Sequence, residues 1–88
     1  MAGSVQRAGR KQRERKILLA VLRELRKQRN LTQDQLARSM GVKQAFISKY
    51  ETGERRLDFI DLVAICDVMD ISIVKFAEKF EVSRKALK

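Results

Sequence analysis

The sequence predicts an all-α domain of five short helices, and three observations support that prediction. Proline is absent and only four glycines occur in 88 residues, so little in the chain interrupts a helix. Apolar residues recur every three or four positions, which is the period of a helix with one buried face. Residues that cap or stop helices fall between these periodic stretches. A chain of this length has room for a single small core.

The first helix is predicted from about Arg13 to Gln28, followed by Asn30, which tolerates a left-handed stop. Its apolar stripe consists of Ile17, Leu18, Val21, Leu22 and Leu25. Residues 1–14 are rich in arginine and lysine and are predicted to form a flexible basic arm. A folded domain of residues 15–82 and a short tail of residues 83–88 follow. The sequence leaves open whether the basic part of the arm extends the first helix.

The second and third helices have clear boundary signals. Thr32, with Gln35 three residues later, forms the capping-box pattern, so a helix is predicted over residues 33–40. Gly41 ends this helix, because glycine adopts left-handed backbone geometry without a steric cost. A third helix is predicted over residues 44–51. Two short helices joined by a turn that contains glycine constitute a helix-turn-helix unit.

The last two helices follow the same logic. Asp58 is predicted to cap the fourth helix and Asp70 to end it. The apolar side of the fourth helix is assigned to Phe59, Leu62, Val63, Ile65, Cys66 and Met69. Ser72 is predicted to cap a fifth helix. The apolar residues of the fifth helix are Ile73, Phe76, Ala77 and Phe80. Cys66, the lone cysteine, is interpreted as a buried core thiol.

Positive charge is concentrated in the first two-thirds of the chain. Residues 1–56 carry fifteen Lys and Arg against five Asp and Glu, whereas residues 57–88 carry five against six. The net charge of +9 therefore indicates a surface that faces a polyanion, joined to a nearly neutral packing surface. Charge alone leaves nucleic acid, an anionic membrane and an acidic protein as alternatives.

Membrane insertion and secretion are not expected. The longest apolar run, residues 17–22, is far too short to cross a bilayer. The first fifteen residues lack the apolar segment of a secretion signal. A single cysteine fits a reducing compartment, so a cytoplasmic location is expected.

The outer side of the third helix is chemically suited to the major groove of DNA. The residues left outside the apolar side of that helix are Gln44, Ala45, Ser48 and Lys49. A glutamine amide can pair with both edge groups of adenine, an alanine methyl can touch a thymine methyl, and a lysine can donate to guanine. Gln33, at the start of the second helix, lies where backbone N–H groups and an amide meet a phosphate.

These elements together resemble the phage Cro and lambda-repressor-like family, also called the XRE family. The matching segments are Leu22-Arg-Glu-Leu-Arg26, Leu31-Thr-Gln33, Leu36-Ala37, Met40-Gly41-Val42, Ile47-Ser48, Glu51-Thr-Gly53 and Arg55. They cover about two-thirds of the chain. The resemblance implies a five-helix DNA-binding domain that reads duplex DNA through Gln44, Ala45, Ser48 and Lys49.

The resemblance also implies roles outside the third helix. Gln33, Thr52, Arg55 and Arg56 are expected to contact DNA phosphates. Arg26 and Glu51 match an ion pair that links the first and third helices in the family. Lys43 departs from the family pattern, which has a Ser or Thr cap there, and lysine cannot accept a hydrogen bond from the backbone. Lys43 is therefore assigned to the phosphate-contacting set.

Enzymatic activity, a metal site and a cofactor are not expected. The sequence has no histidine, which removes Ser-His and Cys-His nucleophile arrangements. One cysteine without histidine cannot make a structural zinc site. No glycine-rich phosphate-binding loop is present.

The predicted function is sequence-specific transcriptional regulation. The chain is expected to repress as a homodimer on a pseudo-palindromic operator in double-stranded DNA. The possible dimer surface comprises Phe76, Phe80, Val82 and Leu87, which alternatively complete the core. One alternative function is that of an antitoxin, which has the same fold and binds a toxin as a protein partner. A less favoured alternative is a basic membrane-surface or scaffold protein, since the apolar stripe of the first helix is needed for packing.

Overall fold

The computed structural model describes residues 2–86 of the chain, with side chains from residue 9 onward. The helices are α1 (Ala2–Gln28), α2 (Gln33–Met40), α3 (Gln44–Glu51), α4 (Phe59–Val68) and α5 (Ile73–Ala86). The described residues contain no strand, so the all-α prediction is confirmed. Over this range, no helix combines the length and the apolar character that a membrane crossing requires.

Helix α1 begins eleven residues earlier than the sequence predicted, at Ala2 rather than near Arg13. Arginine, lysine, glutamine and alanine dominate this segment, and all of them favour helix. Glu14 adds two contacts, an ion pair with Arg10 at 3.4 Å within the helix and one with Arg84 of α5 at 3.1 Å. The basic segment therefore extends the first helix, which is one of the two alternatives that the sequence left open. Residues 83–86 of the expected tail likewise belong to α5.

Two helices begin with a complete capping box. The Thr32 hydroxyl accepts from the Gln35 backbone N–H at 3.0 Å, and the Gln35 side chain accepts from the Thr32 N–H at 2.9 Å. Asp58 and Asp61 make the same reciprocal pair at 2.8 and 3.1 Å. Each box satisfies backbone donors that the start of a helix leaves free. The predicted caps are confirmed, and Asp61 adds a partner that the sequence reading missed.

Four turns between helices use left-handed backbone geometry. Asn30, Gly41, Gly53 and Asp70 have φ values of 56°, 71°, 87° and 55°. The stops predicted at Asn30, Gly41 and Asp70 are thereby confirmed, and asparagine and aspartate are the non-glycine residues that tolerate this region best. The Ser72 hydroxyl accepts a backbone N–H at 3.1 Å and caps α5 as predicted. Local residue types therefore fix where the chain reverses.

One core holds the helices together. Its members are Leu22, Leu25, Leu36, Ala37, Ile47, Tyr50, Ile65, Cys66, Met69 and Phe76. Burial of Cys66 is confirmed, and that burial raises the pKa of its thiol. The assignment of Phe59 to the apolar side of α4 is wrong, because Phe59 lies at the first helical position and is 63% exposed. Phe76 completes the core at 3% exposure, which is one of the two alternatives that the sequence left open for this residue.

The ends of α1 and α4 are joined by one hydrogen bond. The Arg29 guanidinium donates to the Met69 carbonyl at 2.7 Å. Met69 is the C-cap of α4, where carbonyl groups lack partners within the helix. Arg29 therefore satisfies the end of one helix while holding it against the end of another.

The Tyr50 hydroxyl is buried and has no hydrogen-bond partner within the described part of the chain. Tyr50→Phe is therefore expected to leave stability at neutral pH unchanged or to raise it by about 1 kcal/mol, because the variant buries no unpaired hydroxyl. Urea unfolding at about pH 7 measures this. A loss of more than about 1 kcal/mol would show that the hydroxyl is satisfied in solution.

The same substitution changes the alkaline stability. Burial raises the pKa of the Tyr50 phenol above its ordinary value of 10.0. The native state therefore keeps the proton while the unfolded chain loses it. The contribution of this group is fully present below about pH 10 and is lost as the pH rises further. Between about pH 9 and 11, Tyr50→Phe should lose less stability than the unmodified chain.

Candidate nucleic-acid interface

The turn between α2 and α3 sets the angle of the two helices. Gly41, in left-handed geometry, donates its backbone N–H to the Arg38 carbonyl at 3.1 Å. Val42 donates to the Ala37 carbonyl at 3.0 Å, which closes the end of α2. The inner residues Leu36, Ala37, Ile47 and Tyr50 are fully buried. Packing of these side chains fixes α3 against α2, so the face of α3 opposite Ile47 and Tyr50 points outward.

The outward face of α3 carries the four predicted base readers. Gln44, Ala45 and Lys49 are exposed and Ser48 is half-buried. Pairs of these residues are three or four positions apart, which places them on the same side of a helix. The structure therefore presents an amide, a methyl, a hydroxyl and an ammonium group together on one exposed surface.

Lys43 lies at the N-cap of α3 in extended geometry, with φ −78° and ψ 151°. Its side chain makes no capping hydrogen bond. It is exposed, so its ammonium group stands beside the start of α3 rather than serving the helix. This geometry agrees with the expectation that Lys43 is a poor cap.

The predicted ion pair between Arg26 and Glu51 is confirmed and is bidentate. The guanidinium donates to the two carboxylate oxygens at 2.7 and 3.0 Å. It also donates to the Leu31 carbonyl at 2.8 Å. The side chains are only 9% and 4% exposed. A buried bidentate pair of this kind fixes the direction of both groups, so α1 holds the end of α3 in place.

The ion pair continues into a chain of hydrogen bonds that reaches the outward face of α3. The Gln33 amide donates to Glu51 at 2.9 Å, and the Gln44 amide donates to the Gln33 carbonyl oxygen at 3.4 Å. Gln33 was predicted to contact a phosphate, and neither of these two hydrogen bonds was predicted. No local pattern marks them, because they join residues eighteen and eleven positions apart. The side-chain amide of Gln33 therefore links Glu51 to Gln44.

The segment after α3 carries the remaining predicted phosphate contacts. Thr52, Arg55 and Arg56 are all exposed. The Thr52 hydroxyl donates to the Lys49 carbonyl at 3.1 Å. The Arg55 guanidinium lies 4.5 Å from the centre of the Phe46 ring, a cation–π contact. Phe46, which the sequence reading did not assign, thus holds Arg55 beside the end of α3.

The residues of the possible dimer surface differ in their exposure to solvent. Phe76 is buried, Phe80 is half-buried and Val82 is 70% exposed. Leu87 lies outside the described residues.

Among those described, no group of three or more Cys, Asp and Glu side chains is placed to hold a metal ion.

Helix α2, its glycine turn and the exposed face of α3 define a helix-turn-helix DNA-binding domain. The model of the family described as Helix-turn-helix matches residues 22–76, which is more than half of the chain. The chain belongs to this family, in its XRE, Cro and lambda-repressor-like form.

Comparison with known proteins agrees with this assignment. An XRE-family like protein from Pseudomonas syringae pv. tomato str. DC3000 is 31% identical, with a TM-score of 0.76, over 92% of this chain and 93% of that one. A mutant of the restriction-modification controller protein C.Esp1396I is 27% identical, with a TM-score of 0.77, over 85% and 97% of the two chains.

A sequence relative in Bacillus subtilis (strain 168) is the uncharacterized HTH-type transcriptional regulator YqaE. It is 35% identical over 52 residues, which are 59% of this chain and 45% of that protein. The match therefore spans less than half the length of that relative.

Proposed function

We propose that this protein is a transcriptional repressor that binds a specific pseudo-palindromic operator as a homodimer. The outward face of α3 is the observation that best supports it. Gln44, Ala45, Ser48 and Lys49 offer a set of groups that can distinguish base pairs in the major groove. Occupancy of an operator would then exclude RNA polymerase from the same stretch of DNA.

In this proposal Gln44 is the main base reader. A glutamine amide offers two donors and an acceptor, and one donor is directed to Gln33. The remaining donor and the carbonyl oxygen match the two edge groups of adenine. Lys49 donates to guanine, while Ala45 and Ser48 lie close enough on the helix to contact the neighbouring bases.

The phosphate contacts surround this face on both sides. Gln33 and Lys43 approach the backbone from the starts of α2 and α3. Thr52, Arg55 and Arg56 approach it from the segment after α3. Contacts of this kind fix the position of a protein on the duplex but do not distinguish sequences.

The proposed dimer surface lies on α5 and the neighbouring face of α1. A groove of about 790 Å³ lies between the two helices. Val82 stands at this groove with 70% of its surface exposed, next to Ile17, Val21 and Ala86. A two-fold dimer would present two copies of α3 to major grooves about one DNA turn apart, roughly 34–36 Å.

Gln44→Ala is expected to weaken binding to the preferred operator by roughly 1–3 kcal/mol and to relax the preference at one base pair. Binding to random duplex should change little, because Gln44 carries no charge. Fluorescence anisotropy on the operator and on single-base variants measures both effects. An unchanged base preference would remove Gln44 from the base-reading set.

Arg55→Ala is expected to weaken binding to all duplexes by a similar factor. It should also reduce the salt slope, which is the slope of the logarithm of the binding constant against the logarithm of the salt concentration, by about one. Both effects are expected because the variant loses one positive charge that neutralises a phosphate. Arg55→Lys keeps the charge and serves as the control. A change in base preference, with the salt slope intact, would contradict a backbone role for Arg55.

Selection of binding sites from a random duplex pool at about 150 mM salt tests the proposed function as a whole. An enriched inverted repeat is expected, and the distance between its halves gives the dimer geometry. A reporter controlled by that repeat then shows the sign of regulation. Absence of enrichment would contradict sequence-specific recognition, and enrichment of a single half-site would contradict the dimer.

A further inference from the structure

A second groove lies between α1 and the end of α3, away from the base-reading face. Its volume is about 680 Å³, and it is open to solvent along α1. Thr52 and Gly53 form one wall, directly after the recognition helix α3. The other wall carries four basic residues, which we call the α1 basic stripe: Arg15, Lys16, Arg23 and Lys27.

The α1 basic stripe is strongly cationic. The groove is lined by only two acidic residues, Glu24 and Glu51. Glu51 is already paired with Arg26, and its side chain is 4% exposed. Lys16, Arg23 and Lys27 are exposed, and within residues 9–86 none of them lies in an ion pair. The groove therefore carries an excess of positive charge, with four basic side chains against Glu24, its single carboxylate unpaired within the described structure.

The stripe follows one face of the helix. Lys16, Ala20, Arg23 and Lys27 recur at spacings of three and four residues, so they lie in a row. Eleven residues of helix rise by about 16 Å, so the row is long enough to meet several successive phosphates of one DNA strand. Ala20, small and exposed, leaves the centre of the row open.

The opposite face of α1 is not available to a membrane. Leu22 and Leu25 on that face are buried in the core of the domain. An interfacial helix needs its apolar side free to enter the lipid. The largest apolar side chains of α1 are therefore held in the core rather than free to enter lipid, which favours a polyanion over a lipid bilayer.

We propose that the α1 basic stripe binds the DNA backbone as a second track, continuing from the proposed phosphate contact at Thr52. The inference rests on the proposed function. It extends the contact with the DNA backbone beyond the bases that α3 reads, and it adds affinity without sequence preference.

The test removes the charge of the stripe in the full chain. The variant Lys16→Gln/Arg23→Gln/Lys27→Gln keeps residues with good helix propensity. A charge-conserving variant, Lys16→Arg/Arg23→Lys/Lys27→Arg, is the matched control. Lys85→Gln removes one charge from an exposed site outside the groove and reports the effect of net charge alone. Circular dichroism establishes that each variant is folded.

The measurement is the salt slope of binding to a random-sequence duplex of about 30 base pairs, between about 50 and 200 mM salt. The glutamine variant is expected to reduce the slope by about 2.7, at 0.9 for each phosphate contact. The charge-conserving variant should keep it. A slope equal to that of Lys85→Gln would overturn the inference.

Failure of this inference is distinguishable from failure of the proposed function. If Arg55→Ala lowers the salt slope while the glutamine variant does not, the proposed backbone contacts beside α3 are supported and the proposed contact of the α1 basic stripe is wrong. If the random pool yields no enriched site, the proposed sequence-specific function is wrong whatever the stripe does.

Discussion

Glu51→Ala is expected to destabilise the domain by about 3–5 kcal/mol. It leaves the guanidinium of Arg26 buried without its bidentate partner, in a site where that side chain is 9% exposed. It also removes the acceptor of the Gln33 amide. Because native proteins have stabilities of only about 5–15 kcal/mol, this loss is a large fraction of the free energy of unfolding. Urea unfolding followed by circular dichroism measures the loss.

The double variant Arg26→Met/Glu51→Leu is the control for this prediction. Replacement of both charges by apolar residues of similar size is often neutral or stabilising, because no buried charge remains. Its stability should therefore lie closer to that of the unmodified chain than to that of Glu51→Ala. A single variant that loses less than about 1 kcal/mol would contradict a buried pair of this strength.

Leu36→Ala is expected to cost about 2–5 kcal/mol, the range for truncation of a large apolar side chain in a core. Leu36 is completely buried where α2 packs against the rest of the domain. Its loss leaves a cavity behind the helix-turn-helix unit, so DNA affinity should fall together with stability. Thermal and urea unfolding measure the first effect, and anisotropy with duplex DNA measures the second.

Val74→Ala provides the matched control for Leu36→Ala. Val74 is 66% exposed on α5, and substitutions at such positions usually change stability by less than about 0.5 kcal/mol. Equal effects of the two substitutions would mean that Leu36 does not occupy a well-packed core. A stable Leu36→Ala domain that no longer binds DNA would instead assign Leu36 to the binding surface.

Most of the helix boundaries could be predicted from the sequence because they depend on neighbouring residues. The capping box of Thr32 and Gln35 is completed within four residues. The stops at Asn30, Gly41 and Asp70 depend on the backbone freedom of single residues. The start of α1 depends partly on a distant residue, since Glu14 pairs with Arg84. That contact has no local signature, so the sequence left open whether the basic segment extends the first helix.

The composition of the candidate site could be predicted, but its internal connections could not. The outward residues of α3 follow from helical periodicity once the inner residues are known. The contacts between Gln33 and Glu51 and between Arg55 and Phe46 require the packed helices. Exposure of Phe59 likewise follows from the direction in which α4 enters the core. Each miss concerns tertiary geometry rather than residue chemistry.

The outward face of α3 is almost independent of the core that supports it. The only side-chain hydrogen bond that Gln44, Ala45, Ser48 and Lys49 make within the described structure is the one from Gln44 to Gln33. Residues at these four positions are therefore interchangeable without refolding, provided that Arg26, Glu51 and Gln33 stay in place. Under the proposed function, stability and recognition rest on different residues, so a few surface substitutions can change the operator preference while the fold is kept.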